Sequence, residues 1–238
     1  MKKKFIEVKN LYYSFGGYTV LENISFVIDK GDMIAIIGPN GSGKTTLLKN
    51  IIGLYTPQQG KVAIEGQPPK SVRKQIGYVP QKFSFDRDIP ITVHEFMGLE
   101  RCGDDNHSKK NISRALKEVG LKNIKNQQLG QLSGGQFQRM MIARALLHEK
   151  QILIFDEPST GIDIVGEQTI YDLITKINKE KKVTCIIVSH ELNIVNKYAR
   201  KIVCLNKKMI CYGPPETAIT AKNLQKLYGV GAGLYHSH

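Results

Sequence analysis

Met33-Ile34-Ala35-Ile36-Ile37-Gly38-Pro39-Asn40-Gly41-Ser42-Gly43-Lys44-Thr45-Thr46-Leu47-Leu48 is the stretch on which the reading of this chain turns. A strand-sized apolar run ends in a glycine-rich turn, and a helical pattern begins directly after Lys44. Gly38 to Thr45 fits G-x-x-x-x-G-K-[ST], the phosphate-binding P-loop. Glycines let successive backbone N–H groups curl around an anion, because no Cβ blocks the turn or the approach of the phosphates. The helix that follows adds its positive N-terminal end. Gly38, Pro39, Asn40, Gly41, Ser42, Gly43 and Thr46 are therefore expected to cradle a nucleoside triphosphate. Lys44 should reach its β- and γ-phosphates, and the Thr45 hydroxyl should sit on Mg²⁺. A chance match on a surface turn would lack the strand before and the helix after.

A chain of 238 residues is long enough for one large domain, or a core with a subdomain, and for a substantial core. Its apolar and charged fractions, 41% and 23%, are those of an ordinary soluble globular protein. Apolar runs such as Ile34–Ile37 and Cys185–Val188 are strand-sized, far short of the ~20 residues that span a bilayer. Met1-Lys2-Lys3-Lys4 begins like an export signal, but no apolar segment follows, so export is not expected. Cys102, Cys185, Cys204 and Cys211 show no C-x-x-C spacing, which favours buried, reduced thiols. The net charge of +13 suits an acidic partner or an anionic membrane surface. The lysines are scattered and accompany no DNA- or RNA-reading motif, so no nucleic-acid partner is expected.

Phe5–Val8 and Ile24–Ile28 read as strands around a turn at Gly16-Gly17. Between them lies Tyr12-Tyr13-Ser14-Phe15, whose rings can stack on a base or pack the sheet; pattern alone leaves both open. Lys61–Ile64 and Ile76–Val79 are short strands around a Pro-containing turn. From Lys82 strand character disappears and helical spacing takes over, as in Ile112, Ala115, Leu116 and Val119. Residues 82–140 therefore read as a helical insertion in an α/β core. Ser133-Gly134-Gly135-Gln136 opens a second glycine-rich helix start, either another anion site or a flexible cap.

Ile152-Leu153-Ile154-Phe155-Asp156-Glu157 is a buried strand ending in two carboxylates, at the edge where open α/β sheets bind ligands. Side chains alternate along a strand, so the two acids should do different work. Asp156 is expected to assist Mg²⁺, and Glu157 to polarise the attacking water. Val183–Val188 is another buried strand, ending Ser189-His190-Glu191, where His190 can reach the γ-phosphate or be an ordinary solvated histidine. Ile170, Leu173, Ile174 and Ile177 form a plain core stripe on the intervening helix. Two short strands and a modest terminal helix follow, and residues 229–238 read as a mobile tail. The alternation predicts a mainly parallel sheet with helices on both faces, plus an N-terminal antiparallel β piece.

With these motifs in this order, the chain resembles the ATP-binding subunits of ABC transporters over nearly its full length. Leu132-Ser133-Gly134-Gly135-Gln136 matches that family's signature, Gln81 its Q-loop glutamine, His190 its switch histidine, and Phe15 the position of its adenine-stacking aromatic. The resemblance implies a P-loop NTPase core (1–81 and 141–238, including the antiparallel β subdomain) with a helical subdomain at 82–140. It implies ATP and Mg²⁺ as ligands, with Thr45, Gln81 and Asp156 around the metal and Lys44, Gln81, Glu157 and His190 as the catalytic group. It further implies a head-to-tail homodimer in which Ser133, Gly134, Gly135, Gln136 and Asp163 of one copy touch the nucleotide of the other. An integral membrane permease and an extracytoplasmic metal-binding protein complete such a system, with this subunit peripheral at the cytoplasmic face of the membrane.

The segment Ser159-Thr160-Gly161-Ile162-Asp163 departs from the commoner Ser-Ala-Leu-Asp. Together with Tyr78–Lys82 and Asp88–Val93 it looks like the subfamily serving zinc and manganese uptake, and Val188–Leu192 and Cys204–Asn206 lean towards zinc. His107, His236 and His238 raise the alternative of a metal-sensing tail against that of a plain exposed one.

Overall fold

The computed structural model describes residues 4–100, 108–160 and 162–229. Residues 230–238 of the expected tail, with His236 and His238, and His107, Cys102 and Gly161 lie outside the described residues.

Two sheets divide the strands. The first is antiparallel in the order β2-β1-β4, from β1 (Lys4–Phe15), β2 (Tyr18–Asp29) and β4 (Gln59–Ile64). The second has six strands. It begins with β5 (Ile76–Val79), β6 (Ile152–Asp156), β7 (Thr184–Val188) and β3 (Met33–Ile37), and ends with β8 (Lys201–Asn206) and β9 (Lys208–Gly213), in that spatial order. All its pairings are parallel except β8 with β9. The two runs around the Pro-containing turn thus part company, β4 joining one sheet and β5 the other.

Alternation explains why the parallel strands read as unbroken apolar runs. Ile152 and Ile154 of β6 and Ile186 and Val188 of β7 face α1 (Lys44–Ile52) and the antiparallel sheet. Leu153, Phe155, Cys185 and Ile187 face the opposite layer, with α5 (Gly134–Ala145) and α6 (Ile164–Lys181). Both faces are dry, so neither can be polar. The short α2 (Pro69–Val72) leads into β5 through a 3₁₀ turn at Arg73–Gln75. The Arg73 guanidinium donates to the carbonyls of Ile52 and Gly53, satisfying acceptors that the end of α1 leaves open.

The segment from 82 onward carries α3 (Val93–Gly98) and α4 (Ser108–Glu118), which pack with α5 through Val93, Phe96, Met97, Ile112, Leu116 and Met140. A capping box at Thr92 and Glu95 starts α3. The C-terminal helices α7 (Leu192–Tyr198), α8 (Pro215–Ala218) and α9 (Ala221–Tyr228) pack over Ile37, Ile202 and Cys204.

Cys204 and Cys211 are corrected by the structure. They stand directly opposite across β8 and β9, Cα atoms 4.9 Å apart, and are joined as a disulfide where free thiols were expected. Hairpin register, not sequence spacing, brings them together. Cys185 remains a free buried thiol, pushed up to about 12 by desolvation. Among the described residues, no helix is long and apolar enough to cross a membrane.

Candidate functional site

Strand β3, buried along its whole length between β7 and β8, delivers Gly38 to the C-terminal edge of the parallel sheet. A Cβ on Gly38 would lie 2.0 Å from the Leu205 carbonyl oxygen, so backbone from β8 occupies the space any other residue needs. Gly43 caps α1 at φ +100°, and a Cβ there would meet Leu21 at 2.8 Å and the Val20 carbonyl at 2.9 Å. Helix α1 starts with no side-chain cap, so the first-turn N–H groups at Lys44, Thr45 and Thr46 have no intrahelical acceptor. The Ser42 hydroxyl is buried without a hydrogen-bond partner among the described residues. Lys207 N–H holds the loop from outside by donating to the Ser42 carbonyl at 3.0 Å. Lys44 Nζ lies across the loop, donating to the Gly38 and Pro39 carbonyls at 2.7 and 2.9 Å. Open amides, an orphaned hydroxyl and an inward ammonium make a cradle whose chemistry fits phosphate oxygens.

The two acids at the end of β6 diverge as alternation requires. Asp156 is buried, and its Oδ2 accepts from the Thr45 and Tyr78 hydroxyls, each at 3.3 Å. Desolvation raises its pKa, and those two hydrogen bonds pull it back. A hydroxyl and a carboxylate converging at a P-loop are hard oxygen donors suited to Mg²⁺. Glu157 sits just past the strand in a left-handed conformation, φ +50°, a strained geometry for a residue with a side chain. Its Oε2 accepts from Gln81 Nε2 at 2.6 Å and the Thr160 hydroxyl at 3.4 Å, and lies 3.8 Å from His190 Nδ1. Burial lowers the Lys44 pKa, while Glu157 and Asp156 oppose that shift, so one ammonium feels both acids.

Lys44, Thr45, Gln81, Asp156, Glu157 and His190 are thus gathered at one sheet edge. Phe15, Ser133, Gly134, Gly135, Gln136 and Asp163 have no hydrogen bond to that set among the described residues. Phe15 ends β1, 46% exposed, with its ring edge-to-face on Tyr13 and Tyr55 at 5.0 and 5.7 Å. It packs on those neighbours and is still partly open to solvent. Ser133 caps α5 in a reciprocal box with Gln136, whose side chain accepts from Ser133 N–H at 3.0 Å. Space around Gly135 is open. Asp163 caps α6, accepting from Gly166 N–H at 2.9 Å.

Three contributors were not anticipated from sequence. Tyr78 reaches Asp156 because β5 lies beside β6, an adjacency that only the strand order reveals. Thr160 reaches Glu157 through a turn three residues long, and its i+3 spacing was the available signal. Tyr55 stacks on Tyr13, centroids 5.1 Å apart, from the loop after α1.

The ABC transporter family profile matches residues 21–160. The chain is 40% identical over 224 residues to the zinc import ATP-binding protein ZnuC of Buchnera aphidicola (Schizaphis graminum), covering 93% of this chain and 88% of that one. It is 37% identical over 227 residues to ZnuC of Wigglesworthia glossinidia brevipalpis, covering 95% and 94%. The structure of cbiO1 from Clostridium perfringens, part of the ABC transporter complex cbiONQ, superposes with a TM-score of 0.81 at 29% identity over 94% of each chain.

Proposed function

The chain belongs to the ABC transporter family, as an ATP-binding subunit, and from that premise we propose that it hydrolyses ATP to drive uptake of a divalent metal ion. Zinc is the favoured cargo, because the relatives just described are zinc import proteins, and manganese is next. The observation that carries the ATPase reading is the division of work between Asp156 and Glu157, one bonded to the P-loop threonine and the other to Gln81 and Thr160.

In this reading Lys44 exchanges the Gly38 and Pro39 carbonyls for β- and γ-phosphate oxygens, and Phe15 stacks on the base. Mg²⁺ held by Thr45, Asp156 and Gln81 would neutralise charge on the bridging phosphate oxygens. Glu157 accepts the proton of the attacking water as the new P–O bond forms and the bond to the ADP oxygen breaks. Gln81 and Thr160 hold that carboxylate, and His190, 3.8 Å from it, is assigned the hydrogen bond to the γ-phosphate. Ser133, Gly134, Gly135, Gln136 and Asp163 act in trans, closing the partner copy's site in a head-to-tail homodimer.

We assign 82–140 to a helical subdomain, with α5 shared between it and the core (1–81 and 141–238), and Gln81 at the hinge. Phe83, Phe85, Phe96 and Phe137 cluster there, and Phe83, Ile89 and Leu99 are exposed, an apolar face suited to a helix of a membrane permease. The subunit would then sit peripherally at the cytoplasmic face of the membrane, with an extracytoplasmic metal-binding protein across it.

Reconstitution with its permease and binding protein tests this. ATP turnover in vesicles should rise severalfold when zinc-loaded binding protein is present, with zinc accumulating inside. A complex that neither zinc nor manganese stimulates would remove the metal assignment and leave the ATPase intact.

A second expectation concerns Asp156. Its raised pKa lets protons compete with Mg²⁺ above the usual carboxylate range, so Mg²⁺-dependent ATP affinity should fall as pH is lowered. Tyr78→Phe removes one bond to the ionised form, worth about 1 kcal/mol, and should weaken Mg²⁺ dependence roughly fivefold at mildly acidic pH. Identical profiles for the two proteins, measured by fluorescent-nucleotide titration, would detach Tyr78 from the metal site.

A further inference from the structure

At the opposite edge of the sheet from the P-loop lies a cavity of about 780 Å³, within the range of small-molecule sites. Gln151 and Val183, which precede β6 and β7, line it, so a five-residue strand of about 17 Å separates it from the carboxylates. The C-terminal ends of α4, α5 and α6 supply the other walls.

The lining is strongly cationic. Lys30, Arg114, Lys150, Lys181 and Lys182 face two carboxylates, Glu118 and Glu149. Glu118 is shared between Arg114 and Lys181 at 3.4 and 3.0 Å, and Lys30 pairs with Glu65 outside the lining at 3.3 Å. Lys150 is the anomaly. It is only 7% exposed, yet among the described residues no carboxylate lies within 4.0 Å of its ammonium. Its one hydrogen bond goes to the Lys74 carbonyl at 3.0 Å, which leaves two of its three donors unassigned. A buried cation without a counterion is costly unless something anionic joins it. Lys182, exposed and also in the lining, is held at φ +53° and makes no ion pair among the described residues.

His148 and Glu149 at φ +64° and +50° add two consecutive strained residues on the same wall, fixed by a 2.8 Å contact from His148 Nε2 to the Glu100 carbonyl. Among the described residues no phenylalanine or tyrosine lines the cavity, and Leu146, Leu147 and Val183 supply its apolar part.

We infer that this cavity is a second ligand site, which takes a small, multiply charged phosphate compound on Lys150 and Lys182. It is independent of the catalytic site and of the transport reading.

Tripolyphosphate serves as the probe, titrated calorimetrically into the full chain with its P-loop saturated by a non-hydrolysable ATP analogue. One further site per chain is expected, with affinity that falls steeply with added salt. Lys150→Met should weaken it at least tenfold. Lys182→Asn, a residue that tolerates the left-handed conformation, should weaken it at least threefold and stands alone if the first variant misfolds. Lys179→Met, exposed on α6 and outside the cavity, should leave it unchanged. Absence of a second site, or an equal loss in Lys179→Met, would overturn the inference.

Discussion

Glu157→Gln is expected to bind ATP as tightly as the parent chain, lose turnover by about 10²–10⁴-fold, and accumulate as an ATP-bound dimer. Glutamine is nearly isosteric and can still bond to Gln81 and Thr160, so the loop that follows β6 should keep its shape. What disappears is a base able to take the proton of water. The strained φ of +50° at this position is a backbone property and is unchanged by the substitution. Binding should survive because the cradle at Gly38–Thr45 makes no hydrogen bond to Glu157 among the described residues. If ATP joins two copies and hydrolysis parts them, blocking chemistry leaves the joined form. Phosphate release and size-exclusion chromatography with ATP read the two effects separately. Turnover within tenfold of the parent would remove Glu157 from its role. Lost turnover without a dimer would leave the role standing and remove ATP-driven pairing.

Much of this site was legible because its parts are local. A buried strand, a glycine turn and a helix start are contiguous in sequence, and so are a buried strand and two acids. The readings that fell short depend on register. β1 and β2 were read as the short strands Phe5–Val8 and Ile24–Ile28 around a turn at Gly16-Gly17; the turn is there, but the strands run to Phe15 and from Tyr18, twelve residues each. Asn10 and Asn23, at φ +46° and +54°, interrupt the period with bulges, and Asn10 Nδ2 donates to Asn23 Oδ1 at 2.9 Å across the interruption. Alternation counted through a bulge fails, so Tyr12–Phe15 was not read as part of the strand. The Cys204–Cys211 pairing and the reach of Tyr78 to Asp156 have the same origin. Each requires knowing which strands are neighbours, and that is a property of the sheet as a whole.

Lys44→Ala is expected to weaken ATP binding at least tenfold while leaving the fold intact. The ammonium now donates to two carbonyls, at 2.7 and 2.9 Å, and a phosphate would replace neutral acceptors by charged ones. Charge-assisted hydrogen bonds of that kind contribute about 1.5–3 kcal/mol, which is roughly 10- to 150-fold in affinity. Alanine suits the first turn of a helix, and the apolar face of α1 at Leu47, Leu48 and Ile51 is untouched, so thermal stability should change little. The pH dependence separates charge from shape. Burial lowers the Lys44 pKa, so in the free chain the ammonium is lost on the alkaline side sooner than a solvated lysine would lose it. Affinity for ATP in the parent should therefore decline as pH rises through that lowered value. In Lys44→Ala the decline should be absent, since no proton remains there to lose. Equal affinities at neutral pH, or the same alkaline decline in both proteins, would show that Lys44 does not grip the triphosphate.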